Sequence, residues 1–586
     1  MDKRSIFLPA AAQCKLFATV IMLSLLAGCA AGPQEIAEET HSETDFEEPV
    51  SDVGRFSNVD PEVMFHIMAA ERLISVGDYA GAVEQYLDAA LLSSDPELAR
   101  QASRLAAQLG EWDSVLIGTE RWLELEPGSE DAHQIRLLAW LNAGETERVL
   151  EALLDLLASH GGDQEGWRRA AMLLAAAESD ELAMRVMSQL VEQSGKDAAD
   201  PDVLHIQSVL LWQFGDAEWA LELALEAVER SAERKYRVWA AQLAAGAGKL
   251  DLALDIYRSA RSSDPDYVPL ALAEAEVLRQ LERTEDAIRL LREMPPDGEV
   301  LYTLGIYLAR SGRTEEAEDA LHELAGIKEV EDRSHHAFLV AQLAGLLERD
   351  RLALRWYEKV DSGPNKDRAV LRRAILVGQG GDLLEAGKLL GSVRLTDDRA
   401  LREESWLVEA ELLREAGRAD EAVKLLTEPL RETPNNIRLL YSRGLNAVHA
   451  DNLELAEQDF RRIIQIDGEN AMALNALGYT LTDRTDRHQE AYRLIRRALE
   501  LNPDDPATLD SMGWVYFRLG QPKRALPYLE RALEAEGNPE IAAHVIEVLW
   551  SLDRNSEAIE LRDRAIAAWP NDDYLADTLE RLGLDQ

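Results

Sequence analysis

A small side chain returns at an almost fixed interval along nearly the whole chain, and this constrains the fold more than any other feature. The series reads Ala82, Val115, Val149, Ala183, Ala220, Ala253, Ala287, Ala317, Ala353, Ala386, Ala422, Ala456, Ala491, Ala525 and Ala558, with a mean spacing of 34 residues and steps from 30 to 37. Thirty-four residues are enough for two helices and a turn, and a small residue is needed where two helix backbones approach closely. A single such hairpin cannot bury its apolar face alone, so successive hairpins must stack. At 586 residues, length alone would have suggested about three or four independent domains of roughly 150 residues. The period argues instead for one repeated unit stacked along the chain.

Other landmarks keep the same register. Gly444, Gly478 and Gly513 stand near the eighth position of their units, where a side chain on the first helix would block the second. Turn signals recur between the paired helices at Gly77-Asp78, Gly110-Glu111, Gly144-Glu145, Gly215-Asp216, Gly312-Arg313, Gly417-Arg418 and Gly520-Gln521. The run Leu509, Met512-Gly513, Tyr516, Ala525, Leu529 and Ala532 closely resembles the tetratricopeptide (TPR) pattern, as does Leu477-Gly478, Leu481, Ala491, Ile495, Ala498 and Pro503. The terminal Pro suits the end of a unit, since it cannot continue a helix interior. The resemblance implies an all-α TPR solenoid of about fifteen helix-turn-helix repeats forming a superhelix over residues 61–572. Residues 573–586 are expected to form a capping helix with Leu575, Leu579 and Leu582 on its inner face. Val115 and Val149 depart from the expected alanine, and residues 161–202 carry extra glycines and a long step. Degenerate repeats are expected in the N-terminal and middle parts.

The first residues read as an address. Lys3, Arg4 and Lys15 precede an apolar run from Leu16 to Leu26, too short to span a bilayer as a helix. It ends in Leu26-Ala27-Gly28-Cys29, which resembles a bacterial lipobox. That resemblance implies a signal peptide over residues 1–28 and acylation of Cys29. Ala30, rather than Asp, follows the cysteine, which implies sorting to the outer membrane, with the body facing the periplasm. Glu35, Glu38, Glu39, Glu43, Asp45, Glu47, Glu48 and Asp52 then appear with no Lys or Arg among them. Such a run is expected to be an extended acidic tether over residues 29–60, reaching up to about 100 Å.

Charge and composition exclude several functions. With 62 Lys and Arg against 108 Asp and Glu, the formal net charge is -46, which opposes nucleic-acid binding, where phosphates demand clustered cations. Two cysteines support neither a disulfide framework nor a four-cysteine zinc site. Cys14 would leave with the signal peptide and Cys29 would carry lipid, so cysteine catalysis is not expected. His322-Glu323 lacks the second histidine of a zinc-protease helix. His335-His336 are adjacent and cannot share a helical face. Gly381 to Gly387-Lys388 has the wrong spacing for a phosphate loop. No catalytic residue, metal ligand or cofactor is expected, and the chain is read as a binding protein.

In the TPR fold, positions 2, 5, 9 and 12 of each first helix line the inner face. Carried onto the C-terminal repeats, the resemblance gives Tyr441, Leu445, Tyr479, Asp510, Trp514, Phe517, Glu547 and Trp550. The aromatic members Tyr441, Tyr479, Trp514, Phe517 and Trp550 are the candidate partner-binding residues, since Trp and Tyr dominate interface hot spots; they could equally fill a narrow superhelix or pack on the terminal helix. Tyr479 stands where a carboxylate clamp would need Asn, which disfavours that clamp. A lipobox joined to TPR units along nearly the whole chain resembles the LbcA-like lipoprotein adaptors of carboxyl-terminal processing proteases. The resemblance implies protein partners, namely such a protease and the cell-wall hydrolases delivered to it. The alternatives are an assembly factor for exopolysaccharide export or an outer-membrane secretion complex, and a cell-wall enzyme with a cryptic site.

Overall fold

The computed structural model describes residues 60–585, so Cys29, the signal peptide and the tether up to Val59 lie outside the described residues. The chain is all-α, with no strand among the described residues, and it is organised as fifteen helical hairpins followed by one terminal helix. The first hairpin pairs Pro61–Ser75 with Tyr79–Leu92, and the fifteenth pairs Pro539–Ser551 with Asn555–Ala568. In the eleventh, Pro429 divides the second helix into Ala419–Thr427 and Pro429–Glu432, because proline cannot donate the backbone bond that would continue it.

The helices begin where the side chains can satisfy free backbone N–H groups. Asp60 accepts from the Glu62 amide at 2.9 Å, and Asp505 accepts from the Thr508 amide at 2.8 Å. Many second helices open differently, with an Arg immediately before the helix and a carboxylate three residues on. Arg283 pairs with Asp286 at 2.7 Å, Arg313 with Glu316 at 2.6 Å and Arg418 with Glu421 at 2.7 Å. The carboxylate sits in the first turn, where the helix dipole favours negative charge.

The recurring small residues occupy the contact between paired helices. Fourteen of the fifteen have 0% exposure and Ala386 has 1%. Facing them from the first helix, Gly444, Gly478 and Gly513 have no room for a side chain. A Cβ would stand 2.6 Å from Phe460 Cε1, 2.4 Å from Ile495 Cγ1 and 2.4 Å from Leu529 Cγ respectively. The equivalent position in most other hairpins is Ala, Ser or Gly, as in Ala70, Ala241, Gly305 and Ala374. In the fifth hairpin the approach is close enough for Ser208 Oγ to donate to the Ala220 carbonyl at 2.6 Å. Two hairpins differ, with Leu137 and Ile546 at this position.

The turn glycines named from sequence all have positive φ, for example 83° at Gly77, 72° at Gly417 and 73° at Gly520. Four hairpins place a non-glycine residue in the same conformation, with φ near 60° at Glu282, 58° at Glu348, 57° at Asp451 and 59° at Asp553. Such residues carry steric strain that glycine avoids.

The described chain divides into two compact units, one ending at Lys328 and the other starting at Glu329. Eight hairpins, Pro61 through Gly326, form the first unit; seven hairpins and the terminal helix form the second. The division falls in the non-helical segment 327–332 rather than among the glycines of 161–202, which carry the Gln164–Leu174 and Asp180–Ser194 helices. Those glycines lie in turns, with positive φ at Gly161, Gly162 and Gly195, and so leave the helices intact. In the second unit one core runs from Ala410 to Leu584. The terminal helix Asp573–Leu582 buries Leu575 and Leu579 in it and exposes Asp577 and Glu580. This is the polar outer face that ends a repeat array.

Candidate functional site

The aromatic residues singled out from sequence fall into two groups. Tyr479, Trp514 and Phe517 come together near the end of the second unit, on the Ala471–Arg484 and Pro506–Arg518 helices. Tyr441 lies earlier, half-buried, with its ring 5.9 Å from Phe460. Trp550 is half-buried against the core on the Pro539–Ser551 helix, and Leu445 is 37% exposed.

Trp514 is a packed residue at 4% exposure. Its indole stacks on the His544 imidazole with centroids 3.9 Å apart and planes at 17°, and on Phe517 at 5.3 Å and 29°. Its Nε1–H is buried without a hydrogen-bond partner. His544, at 1% exposure, donates from Nδ1 to Asp510 Oδ1 at 2.8 Å, and its Nε2 meets the Tyr574 hydroxyl at 2.9 Å. Neutral, that nitrogen accepts from the phenol; protonated, it donates to the phenol oxygen. The Tyr479 hydroxyl donates to Glu540. Glu547 receives both Nη1 and Nη2 of Arg581 at 2.6 Å.

Three groove positions, Tyr479, Asp510 and Glu547, are therefore engaged by the protein itself, the last by the terminal helix. The Tyr574 hydroxyl and the Arg581 guanidinium carry that helix onto the inner surface. Phe517 and Trp550 are half-buried and keep surface to meet a partner, as does Tyr574 at 38% exposure.

The electrostatics are set by burial and by this cage of acids. Burial acts to depress the His544 pKa, but the charge and hydrogen bond of Asp510, with Glu540 and Glu547 behind, outweigh it and raise the pKa above its ordinary value. Burial, then Glu540, raises the Tyr479 phenol well above its usual range. The same two causes raise Tyr574.

Sequence reasoning passed over His544, Glu540 and Tyr574. A signal was present. His544 follows Asp510 by one repeat length of 34 residues, and Tyr574 follows Glu540 by the same interval. Both Glu540 and Tyr574 occupy position 2 of their helices, the first of the groove positions.

Among the described residues no group of three or more His, Cys, Asp and Glu is arranged to hold a metal ion. No described helix is long and apolar enough to cross a membrane. Cys29, the candidate lipidation site, lies outside the described residues.

Family models of the tetratricopeptide repeat match residues 244–299, 407–471, 469–535 and 511–573. The TPR repeat-containing protein PA4667 of Pseudomonas aeruginosa is 29% identical over 545 residues, which cover 91% of this chain and 90% of that protein. The type IV pilus assembly protein PilF of the same organism is 28% identical over 100 residues, 17% of this chain and 39% of PilF. Among solved structures, the APC/C hetero-tetramer Cut9–Hcn1 covers 84% of this chain and 97% of its own, at 15% identity and a TM-score of 0.32.

Proposed function

We propose that this tetratricopeptide-repeat protein is a lipid-anchored adaptor on the periplasmic side of the outer membrane. In this reading it binds a carboxyl-terminal processing protease and presents peptidoglycan hydrolases to it. The repeat array supports the coarse part of this reading, a protein–protein interaction scaffold. The observation that carries the finer reading is the combination of fifteen hairpins filling the described chain with the Leu26-Ala27-Gly28-Cys29 motif ahead of them. Alignment of PA4667 over 91% of the chain supports an architecture shared as a whole rather than a few borrowed repeats.

The physical logic is that of a tethered platform. Acyl chains on one cysteine would hold the protein durably, which a single chain would not. The acidic segment 29–60 would keep the body clear of an anionic surface, and net charge -46 would add to that repulsion. Stacked repeats present separate surfaces at separate points along the chain, as an adaptor requires to hold enzyme and substrate together.

A pull-down of the lipidated protein from a detergent extract, with partner identification, tests this. Recovery of a carboxyl-terminal processing protease with a wall hydrolase supports the adaptor; recovery of neither refutes it. The match to PilF favours one second reading, an assembly factor for an outer-membrane secretion or exopolysaccharide-export complex. Recovery of a secretion channel or export machinery would establish that instead.

A further inference from the structure

The third hairpin departs from the packing rule on both of its helices, whereas the fifteenth, with Ile546 against Ala558, departs on one. Its helices are Glu130–Asn142 and Thr146–Ser159. Where most hairpins set Ala, Ser or Gly against Ala, this one sets Leu137 against Val149, both buried in one core cluster. Two branched side chains therefore replace small ones between these helices. A crevice of about 650 Å³ opens between them, walled by Leu137, Trp140, Leu156 and, from the next hairpin, Leu173.

Trp140 stands between two cations in this crevice. The guanidinium of Arg136 lies 4.7 Å from the indole centroid and that of Arg148 lies 5.9 Å from it. Arg148 is paired with Glu145 at 3.9 Å. Arg136 is different: among the described residues no carboxylate lies within ion-pair distance of it, its Nη2 donates to His133 Nδ1 at 3.2 Å, and its Nε is buried with no partner. Burial draws its pKa down, opposed only by the more distant charge of Glu120. In a chain with 108 acidic residues, a half-buried guanidinium left without a carboxylate is an unmet demand. An isolated charge removed from water is costly until it is paired. Glu151 and Asp155 line the same crevice from the second helix, so a run of acids would be repelled there, whereas one carboxylate beside Arg136 would be held.

We propose that this crevice is a docking site for a partner polypeptide segment that carries one isolated acidic residue beside a bulky apolar one. The carboxylate accepts from Arg136, and the apolar side chain enters between Trp140, Leu156 and Leu173. The inference rests on the scaffold reading only in taking a polypeptide as the occupant. No protease or hydrolase enters its test, so the two proposals fail separately.

The test pans a display library of random twelve-residue peptides on the full chain in detergent. The leading peptide is then synthesised with a fluorescein label for anisotropy titration. The expected result is enrichment of a single Asp or Glu next to Leu, Ile, Met or Phe. Affinity should then fall roughly tenfold or more in Arg136→Gln, and equally when the peptide's acid is changed to its amide, as removal of a charge-assisted pair implies. The amide peptide requires no change to the protein, so a folding defect cannot imitate it. Enrichment without an acidic residue, unchanged affinity for Arg136→Gln or for the amide peptide, or no enriched sequence overturns the proposal.

Discussion

Replacing Gly513 by Ala sets two effects of opposite sign against each other. In an exposed helix interior the change would stabilise by about 1 kcal/mol, because Ala loses less backbone freedom than Gly. At Gly513 the new Cβ would lie 2.4 Å from Leu529 Cγ, 2.7 Å from its Cδ2 and 3.1 Å from the Ala525 carbonyl. Leu529 is fully buried at 0% exposure and Ala525 likewise, so neither can move aside without displacing the Pro522–Ala535 helix. Overpacking of this kind costs about 1–3 kcal/mol. The net expectation is a loss of about 1 kcal/mol, or roughly fivefold in the opening equilibrium. The control is Gly345→Ala, on the Arg333–Leu346 helix, where a Cβ would meet nothing within 4 Å; it should stabilise by about 0.5–1 kcal/mol. Because repeats open locally, the assay is amide hydrogen exchange by mass spectrometry, comparing peptides from Pro506–Arg518 and Pro522–Ala535 with those from Arg333–Leu346. Slower exchange in both variants would refute the claim that these glycines are fixed by helix approach.

Other expectations follow from the strained turns, the buried histidine, the groove and the anchor. Glu282→Gly and Glu348→Gly, which relieve φ values of 60° and 58° at exposed turn positions, should each raise stability by about 0.5–1 kcal/mol in urea titration; loss of stability would contradict the strain. The raised pKa of His544 means that its stabilising contribution is full below the unfolded value of about 6.5 and is lost as pH rises through the higher folded value. Exchange in the last hairpin should therefore be slower at pH 6 than at pH 8 once corrected for intrinsic rates, and His544→Gln should flatten the difference; an unchanged slope would exclude the histidine. Trp514→Ala should cost about 3–5 kcal/mol, since its indole is buried, whereas Phe517→Ala with Trp550→Ala should leave helicity intact and weaken partner capture. Unchanged capture by that pair would move the site away from this end. Cys29→Ser should release the protein from membranes, read by fractionation, and continued association would refute the lipid anchor.

Much of the architecture was legible because its cause is local and repeated. Most helix pairs here set a small residue at their crossing, so Ala220 or Ala456 marks that crossing where it falls, and a glycine with positive φ marks the turn. The turns at Glu282, Glu348, Asp451 and Asp553 were less visible, since the same backbone conformation is held there by residues that merely tolerate it. The division after Lys328 was hidden as well, because the small residues keep their series on both sides of it. The groove was legible as a set of positions and illegible as a surface. Trp514 satisfies the pattern yet lies under His544, and the Tyr479–Glu540 bond joins residues 61 positions apart. Such contacts depend on how hairpins stack, which one-dimensional periodicity does not encode. Val149 was visible as a departure from alanine, but Leu137 opposite it and Arg136 unpaired in the crevice were not.

The adaptor claim is tested most directly by reconstitution. The purified lipidated chain, the carboxyl-terminal processing protease and a peptidoglycan hydrolase are combined in detergent, and hydrolase degradation is followed with and without the chain. The account predicts that the chain itself cleaves nothing and that degradation accelerates markedly only when it is present. Degradation at the same rate in its absence would contradict the account.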